Sequence, residues 1–315
     1  MINCKNTFGK LKEIILGDVD ESVIQYCDND EQERLKYIFH KTKTELNNFQ
    51  KILEGFNVKV YRPNSLPNTT SNTPLFQSKG THIPLCPRDI FFIIDNIVIE
   101  NATYHKERFF ETWYYRDIFL EQFKTDCKWL SMPMTTFNVD NPFFDGASAI
   151  RYDKNIFVSS GSTYNSAGLT WMKRTLDNYN FHIIDNPKIN GHLDAHFAIL
   201  RPGLIWSRWG LDQLPEQFKD WDIIKVNEET DKSIRSKQKL IDLKVQDDDF
   251  HDTVLAVNTL SIDENTICLY DHYKHDTKLI NALNKHKVEI VWVPFTYSHF
   301  FNQGLTCITL DLHRL

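Results

Sequence analysis

Residues 191–200, GHLDAHFAIL, set two imidazoles and a carboxylate at alternate positions: His192, Asp194 and His196. Leu193, Ala195 and Phe197 fill the gaps. Alternation is the strand period, so the pattern predicts a strand with one polar and one apolar face. Three readings of that face are open. His-x-Asp-x-His could offer a metal three ligands from one strand. An imidazole beside a carboxylate could move protons in catalysis. A hydrogen-bonded polar patch would use the same residues and do no chemistry. Metal is the weakest of the three, because no further ligand cluster is evident and Cys307 would need a separate explanation.

Cys307 alternates with Thr309, Asp311 and His313, opposite Ile308, Leu310 and Leu312. This places it on the polar face of a strand, where a thiolate can be stabilised. The competing reading is a small buried hydrophobe. The other cysteines, Cys4, Cys27, Cys86, Cys127 and Cys268, form no CxxC pair. That argues against zinc and against a disulfide framework, and it fits a reducing compartment, by default the cytoplasm.

These groups are far apart in the chain, so a repeat must bring them together. IFFIIDNIVIE reads as two strands about Asp95-Asn96, followed by an amphipathic helix over 105–124 and a strand near 127–133. The pattern returns as a hairpin turning at Asp153-Lys154-Asn155, a helix over 165–179 and the strand FHIID. It recurs as a hairpin turning at Arg201-Pro202-Gly203, a short helix over 215–221 and the strand DIIKVN. A fourth copy runs from 253 to 295. For the fifth, LTCITLDLHR near the C-terminus pairs with LKEIILG near the N-terminus, followed by a helix over 29–56 and the strand NVKVYRP. Five strand–strand–helix–strand units, the last completed by both termini, predict an α/β ring closed on itself with no open sheet edge. The 315 residues could supply two average domains, but the closed repeat favours a single domain over 1–315.

In this repeat Asp89 and Asp145 each precede the first strand of their unit, His192 and Asp194 open the third, and Cys307 lies near the strand that completes the fifth. Around a pseudo-symmetry axis these positions meet at one end. Each aspartate alone could be a cap or a turn former. Several carboxylates around one point are costly to desolvate without a cation, so a cationic ligand or a metal is implied. Two long irregular stretches, 63–88 and 227–252, read as loops, either covering a site or lying on the surface.

Composition narrows the function classes. Net charge is −6 and no basic run occurs, which disfavours nucleic acid. No apolar run approaches the roughly 20 residues of a membrane helix. The N-terminus lacks the marks of a signal or transit peptide.

PRDIFFIIDNIVIENATYHKERFFETWYYRD, FFDGASAIRYDKNIFVSSGSTYNSAGLTWMKRTL, GHLDAHFAILRPGLI and GLTCITLDLHR resemble, in order, segments of the amidinotransferases of the guanidino-modifying pentein superfamily, glycine amidinotransferase in particular. The resemblance covers most of the chain from Asn6 to Arg314. It implies a five-bladed pseudo-symmetric α/β propeller of ββαβ modules and no cofactor. It also implies roles: Cys307 the nucleophile, His192 the general acid and base, Asp145 the carboxylate holding the histidine, and Asp89 and Asp194 the binders of a donor guanidinium. The implied reaction moves the amidino group of arginine onto Cys307, releases ornithine, and passes the group to an acceptor amine.

Departures concern the acceptor. Gly191 stands where the glycine-using enzymes carry a larger Met, Thr306 replaces a His before the cysteine, and His251 and Asp252 replace expected serines. Arg208 is the nearest candidate for an arginine that binds an acceptor's carboxylate, shifted in register. An acceptor other than glycine is therefore expected. The alternatives are a hydrolase of the arginine deiminase kind and a binding protein that kept the ring without turnover. A homo-oligomer is left open.

Overall fold

The computed structural model describes residues 1–26, 29–66, 71–72, 77–78, 83–134, 138, 140–160, 162–185, 191–208, 210, 214–226, 256–299, 301 and 303–315. The stretch 227–252, with His251 and Asp252, lies outside the described residues.

The chain folds as a mixed α/β structure whose main sheets are five small three-stranded ones of identical pattern. The first described strand, β1 (Leu11–Leu16), is followed by the long helix α1 (Asn29–Gly55) and β2 (Lys59–Tyr61). A two-residue pair, β3 (Ser71–Asn72) and β4 (Gln77–Ser78), precedes a single helical turn, α2 (Pro87–Ile90). The loop reading of 63–88 thus ends in a helical turn whose residues are all buried.

The second sheet joins β5 (Phe91–Ile94) and β6 (Ile97–Glu100) through the turn at Asp95, whose φ is 47°. Aspartate is among the few residues that tolerate this left-handed conformation. Then come α3 (Arg116–Phe123) and β7 (Lys128–Ser131), which pairs parallel to β6. The third unit holds β8 (Ala149–Tyr152), β9 (Asn155–Ser159), α4 (Ser166–Thr175) and β10 (Asn180–Ile184). Asn165 caps α4, its side chain accepting from the Gly168 N–H at 2.7 Å. The fourth holds β11 (Phe197–Arg201), β12 (Leu204–Ser207) and β13 (Asp222–Lys225). The fifth holds β14 (Leu260–Asp263), β15 (Thr266–Tyr270), α5 (Thr277–Lys285) and β16 (Glu289–Val293), with Asp276 capping α5. Finally β17 (Thr309–Arg314) pairs antiparallel with β1, Leu16 opposite Thr309, so the two ends of the chain share one sheet. In each three-stranded sheet one strand pairs antiparallel to the middle strand and the other parallel to it.

Two expected helices are shorter than the amphipathic pattern suggested. Residues 106–115 run mostly as 3-10 turns, Lys106–Arg108 and Glu111–Tyr115, before α3 begins. The tighter winding turns Arg108 and Glu111 into the interior together, where the guanidinium meets both carboxylate oxygens at 2.6 and 3.2 Å. The helix expected over 215–221 is one 3-10 turn, Glu216–Phe218, with Phe218 buried among Phe157, Phe197 and Trp221.

Beneath the strand-opening ends lies a buried ionic hub. Asp311 on β17 receives the guanidinium of Arg88 from α2, Arg151 from β8 and Arg314 from its own strand. Arg314 also donates to the Gly9 carbonyl at 2.6 Å and the Ser261 carbonyl at 2.9 Å. Burial alone would raise the Asp311 pKa, but the charges of Arg151, Arg88 and Arg314 hold it well below the usual carboxylate range. One carboxylate therefore ties together segments from several sheets.

Candidate active site

The segments ahead of the strands carry the reactive groups. Asp89 sits two positions before Phe91 of β5, Asp145 four before Ala149 of β8, and His192 and Asp194 five and three before Phe197 of β11. Cys307 sits two before Thr309 of β17. Each is at a corner where the chain turns into a sheet, which lets one side chain point off the end of the strands.

Local structure differs from the expectation at two corners. Leu193–Ala195 form a 3-10 turn with His192 at its N-terminus, and the strand begins only at Phe197. His192, Asp194 and His196 are therefore not on one strand face. A turn of three residues places His192 and Asp194 in the site, while His196 goes elsewhere. Cys307 likewise lies in the turn 305–308 ahead of β17, not on the strand's polar face.

The geometry is compact. His192 Nε2 is 3.1 Å from Asp145 Oδ2, and its Nδ1 is 3.7 Å from Asp89 Oδ1. Arg108 Nη1 donates to Asp89 Oδ2 at 2.8 Å. Thr306 Oγ1 donates to Asp194 Oδ2 at 2.9 Å, and the Cys307 sulfur is 3.8 Å from the same oxygen. Asn101 Nδ2 holds the Asp89 carbonyl at 3.4 Å. Close approach of the Asp145 corner to the Asp89 corner depends on Gly146: a Cβ there would stand 2.3 Å from the Phe91 carbonyl oxygen and 2.5 Å from that of Arg88.

Two carboxylate oxygens, Asp89 Oδ1 and Asp194 Oδ1, are buried and have no hydrogen-bond partner among the described residues. Burying an acceptor without a donor is expensive, so both are poised for a ligand's N–H groups. Among the described residues no group of three His, Cys, Asp or Glu is spaced to hold a metal.

Electrostatics set the resting protonation. Burial pulls the His192 pKa down, but the Asp89 charge, the Asp145 hydrogen bond and the Asp145 and Asp194 charges outweigh it and raise the pKa to about 9. The ring rests as imidazolium at neutral pH. Burial pushes the Cys307 thiol up, as do Asp194 and Asp89, so its pKa stands well above the usual value although a Gly304 backbone bond and the Asn258 amide pull it down. Burial also raises the Asp194 pKa, against the charges of His192 and Arg88.

The folded chain holds the imidazole proton more tightly than the unfolded one does. This contribution to stability is complete below about pH 6.5 and is lost as pH rises through about 9. Thermal unfolding between pH 6.5 and 9 is expected to show a falling Tm, and His192→Gln a flatter one. Equal slopes in the two proteins would contradict the assignment.

Arg208 stands beside His196, its Nη1 3.3 Å from His196 Nδ1 and its backbone N–H on the His196 carbonyl at 3.0 Å. Sequence reasoning missed Arg88, whose Nε donates to the Thr306 and Thr309 carbonyls at 2.7 and 3.1 Å, on either side of Cys307. It also missed Asn258, 3.1 Å from the sulfur. Asn258 lies two positions before Leu260 of β14, the offset that Asp89 and Cys307 have from their own strands, so the repeat itself was the signal. A cavity lined by Asp194, Thr306, Arg88, Asp311 and Arg314 joins the site to the ionic hub.

Comparison with known proteins gives the same direction. No family model matches the chain. Inosamine-phosphate amidinotransferase 1 of Streptomyces glaucescens is 26% identical over 351 aligned positions, spanning 100% of this chain and 97% of that protein. An L-arginine:L-lysine amidinotransferase of Pseudomonas savastanoi pv. phaseolicola is 26% identical over 300, spanning 86% and 78%. Among solved structures, the amidinotransferase SxtG of a saxitoxin biosynthetic pathway, from Microseira wollei, superposes with a TM-score of 0.83 at 25% identity, covering 99% of this chain and 97% of its own. Over its whole length the chain is similar to amidinotransferases. These relatives are named as amidinotransferases, which are transferases, and both the mixed α/β fold and its five small sheets match the amidinotransferase structure.

Proposed function

We propose that the chain is an amidinotransferase that moves the amidino group of arginine, through a covalent amidino-cysteine at Cys307, to an acceptor amine other than glycine, releasing ornithine. The carrying observation is the pair of partnerless oxygens, Asp89 Oδ1 and Asp194 Oδ1, beside a thiol and an imidazolium. A guanidinium is planar and cationic, and its N–H groups suit oxygens on separate carboxylates.

In this reading the bound guanidinium offsets the carboxylates and lowers the thiol pKa, so the thiol releases its proton to solvent and the thiolate forms where the substrate already sits. The sulfur attacks the guanidinium carbon and a C–S bond forms. The bond from that carbon to the ornithine nitrogen breaks as His192, oriented by Asp145, gives its proton to the departing amine. The acceptor amine then attacks the amidino carbon and gives its proton to His192, and the C–S bond breaks to return the Cys307 thiolate. Arg108 fixes Asp89 in place by donating to Oδ2.

Arg208 is proposed to meet a polar or anionic part of the acceptor. Room for an acceptor larger than glycine is supported at Gly191, where an added Cβ would meet nothing within 4 Å among the described residues. We take the five sheets to close as a pseudo-symmetric five-bladed propeller, one domain over 1–315. The described cysteines are free and buried, which supports a reducing compartment such as the cytoplasm. Among the described residues no helix is long and apolar enough to cross a membrane.

The test supplies arginine with and without a panel of amines. Ornithine release that rises at least about tenfold with one amine is the expected outcome. Ready citrulline or urea formation from arginine alone would assign hydrolysis instead, and arginine binding without any turnover would assign a binding protein.

A further inference from the structure

We propose that Asn258 is a catalytic residue: its side-chain amide donates a hydrogen bond to the Cys307 sulfur and stabilises the thiolate. This rests on the function proposed above. The geometry fixes which end of the amide faces the sulfur. Asn258 Oδ1 accepts from the backbone N–H of Thr306 at 2.8 Å and of Cys307 at 3.2 Å. Both are obligatory donors, so the oxygen must face them. The nitrogen is thereby aimed at Sγ, 3.1 Å away.

The amide has no room to turn away. Asn258 is 1% exposed, and a Cβ at Gly304 would come within 2.2 Å of its Cβ and 2.1 Å of its Cγ and Oδ1. Its backbone carbonyl accepts from the Leu305 N–H at 2.9 Å. The same residue thus holds the nucleophile's turn from three sides and presents a donor to the reacting atom.

An N–H donor interacts weakly with a neutral thiol and strongly with a thiolate, since charge assistance roughly doubles such a bond. The donor here has to be neutral. A lysine or arginine would stabilise the sulfur more but repel the cation that the neighbouring carboxylates are arranged to receive. An aspartate, which other units place at their corners, would repel the thiolate. Asparagine satisfies both demands, which accounts for why this unit's corner residue is an amide. Its effect opposes burial and the charges of Asp194 and Asp89, all of which disfavour the thiolate.

The test is the pH dependence of Cys307 alkylation by iodoacetamide in the full chain, localised by peptide mass. Asn258→Asp, nearly isosteric, and Asn258→Ala are expected to move the alkylation midpoint up by at least about one unit, a tenfold slower reaction at fixed pH. The arginine-dependent kcat should fall in parallel while KM holds. A midpoint equal to that of the unaltered chain would overturn the proposal.

Should both variants lose their fold, selective 15N-asparagine labelling of the unaltered chain reads the same bond. One side-chain amide should shift with the thiol titration and stop doing so in Cys307→Ser; no titrating amide would overturn it. Alkylation needs no turnover, so failure of the functional reading shows separately, as ornithine release that survives Cys307→Ser.

Discussion

Cys307→Ala is expected to release ornithine from arginine roughly a thousandfold or more slowly than the unaltered chain, because a covalent route has no substitute once its nucleophile is gone. Arginine should still bind with nearly unchanged affinity, since Asp89 and Asp194 remain to receive the guanidinium. The removed sulfur is small and its turn is held independently by Asn258 and Arg88, so the fold should persist. Calorimetry with arginine and an ornithine assay together check this. Loss of both binding and turnover would point to a collapsed site, and retained turnover would remove Cys307 from the chemistry.

Asp311→Ala is expected to be the most destabilising single change in the hub. It leaves the guanidinium groups of Arg88, Arg151 and Arg314 buried without their shared carboxylate. Breaking a buried ion pair from one side costs about 3–5 kcal/mol. For a chain of this size that is a fall in Tm on the order of 10 °C. The consequence reaches the site, because Arg88 holds the carbonyls of Thr306 and Thr309 and depends on Asp311 for its own charge balance. Asp311→Asn, which keeps some acceptor capacity, should lose less. A thermal melt of Asp311→Ala within 1 °C of the unaltered chain would show that the arginines are neutralised some other way.

Much of the architecture is legible in the sequence because hairpins carry local signals. Asp95-Asn96, Asp153-Lys154-Asn155 and Arg201-Pro202-Gly203 all turn where the residues say they should, and positive φ at Asp95, Asp153 and Gly203 accompanies them. The pairing of β17 with β1 is also readable, since β17 alternates apolar Leu310 and Leu312 with polar residues and β1 carries the apolar run Ile14, Ile15 and Leu16. The recurrence of these units then locates Asp89, Asp145, His192, Asp194 and Cys307 at equivalent corners.

What the sequence concealed has physical causes. Period two in His192, Asp194 and His196 mimicked a strand, but a 3-10 turn intervenes, and spacing alone cannot distinguish them over so few residues. Arg108 and Glu111 fit the polar stripe of an amphipathic helix; only tertiary structure shows that they neutralise each other inside, next to Asp89. Asp311 read as a polar strand position and is instead the centre of a charge cluster fed from distant elements. Asn258 carried no chemical signal of its own, because an amide in AVNTL resembles any turn residue until the repeat assigns it a corner.

In the proposed reaction the sulfur of Cys307 carries the amidino group between donor and acceptor. Intact-mass spectrometry of the full chain mixed with arginine in the absence of an amine tests it most directly. A gain equal to one amidino group is expected, localised by peptide mapping to Cys307 and discharged when the acceptor is added. Turnover of arginine with no such adduct on rapid quenching, or an adduct on another residue, would contradict it.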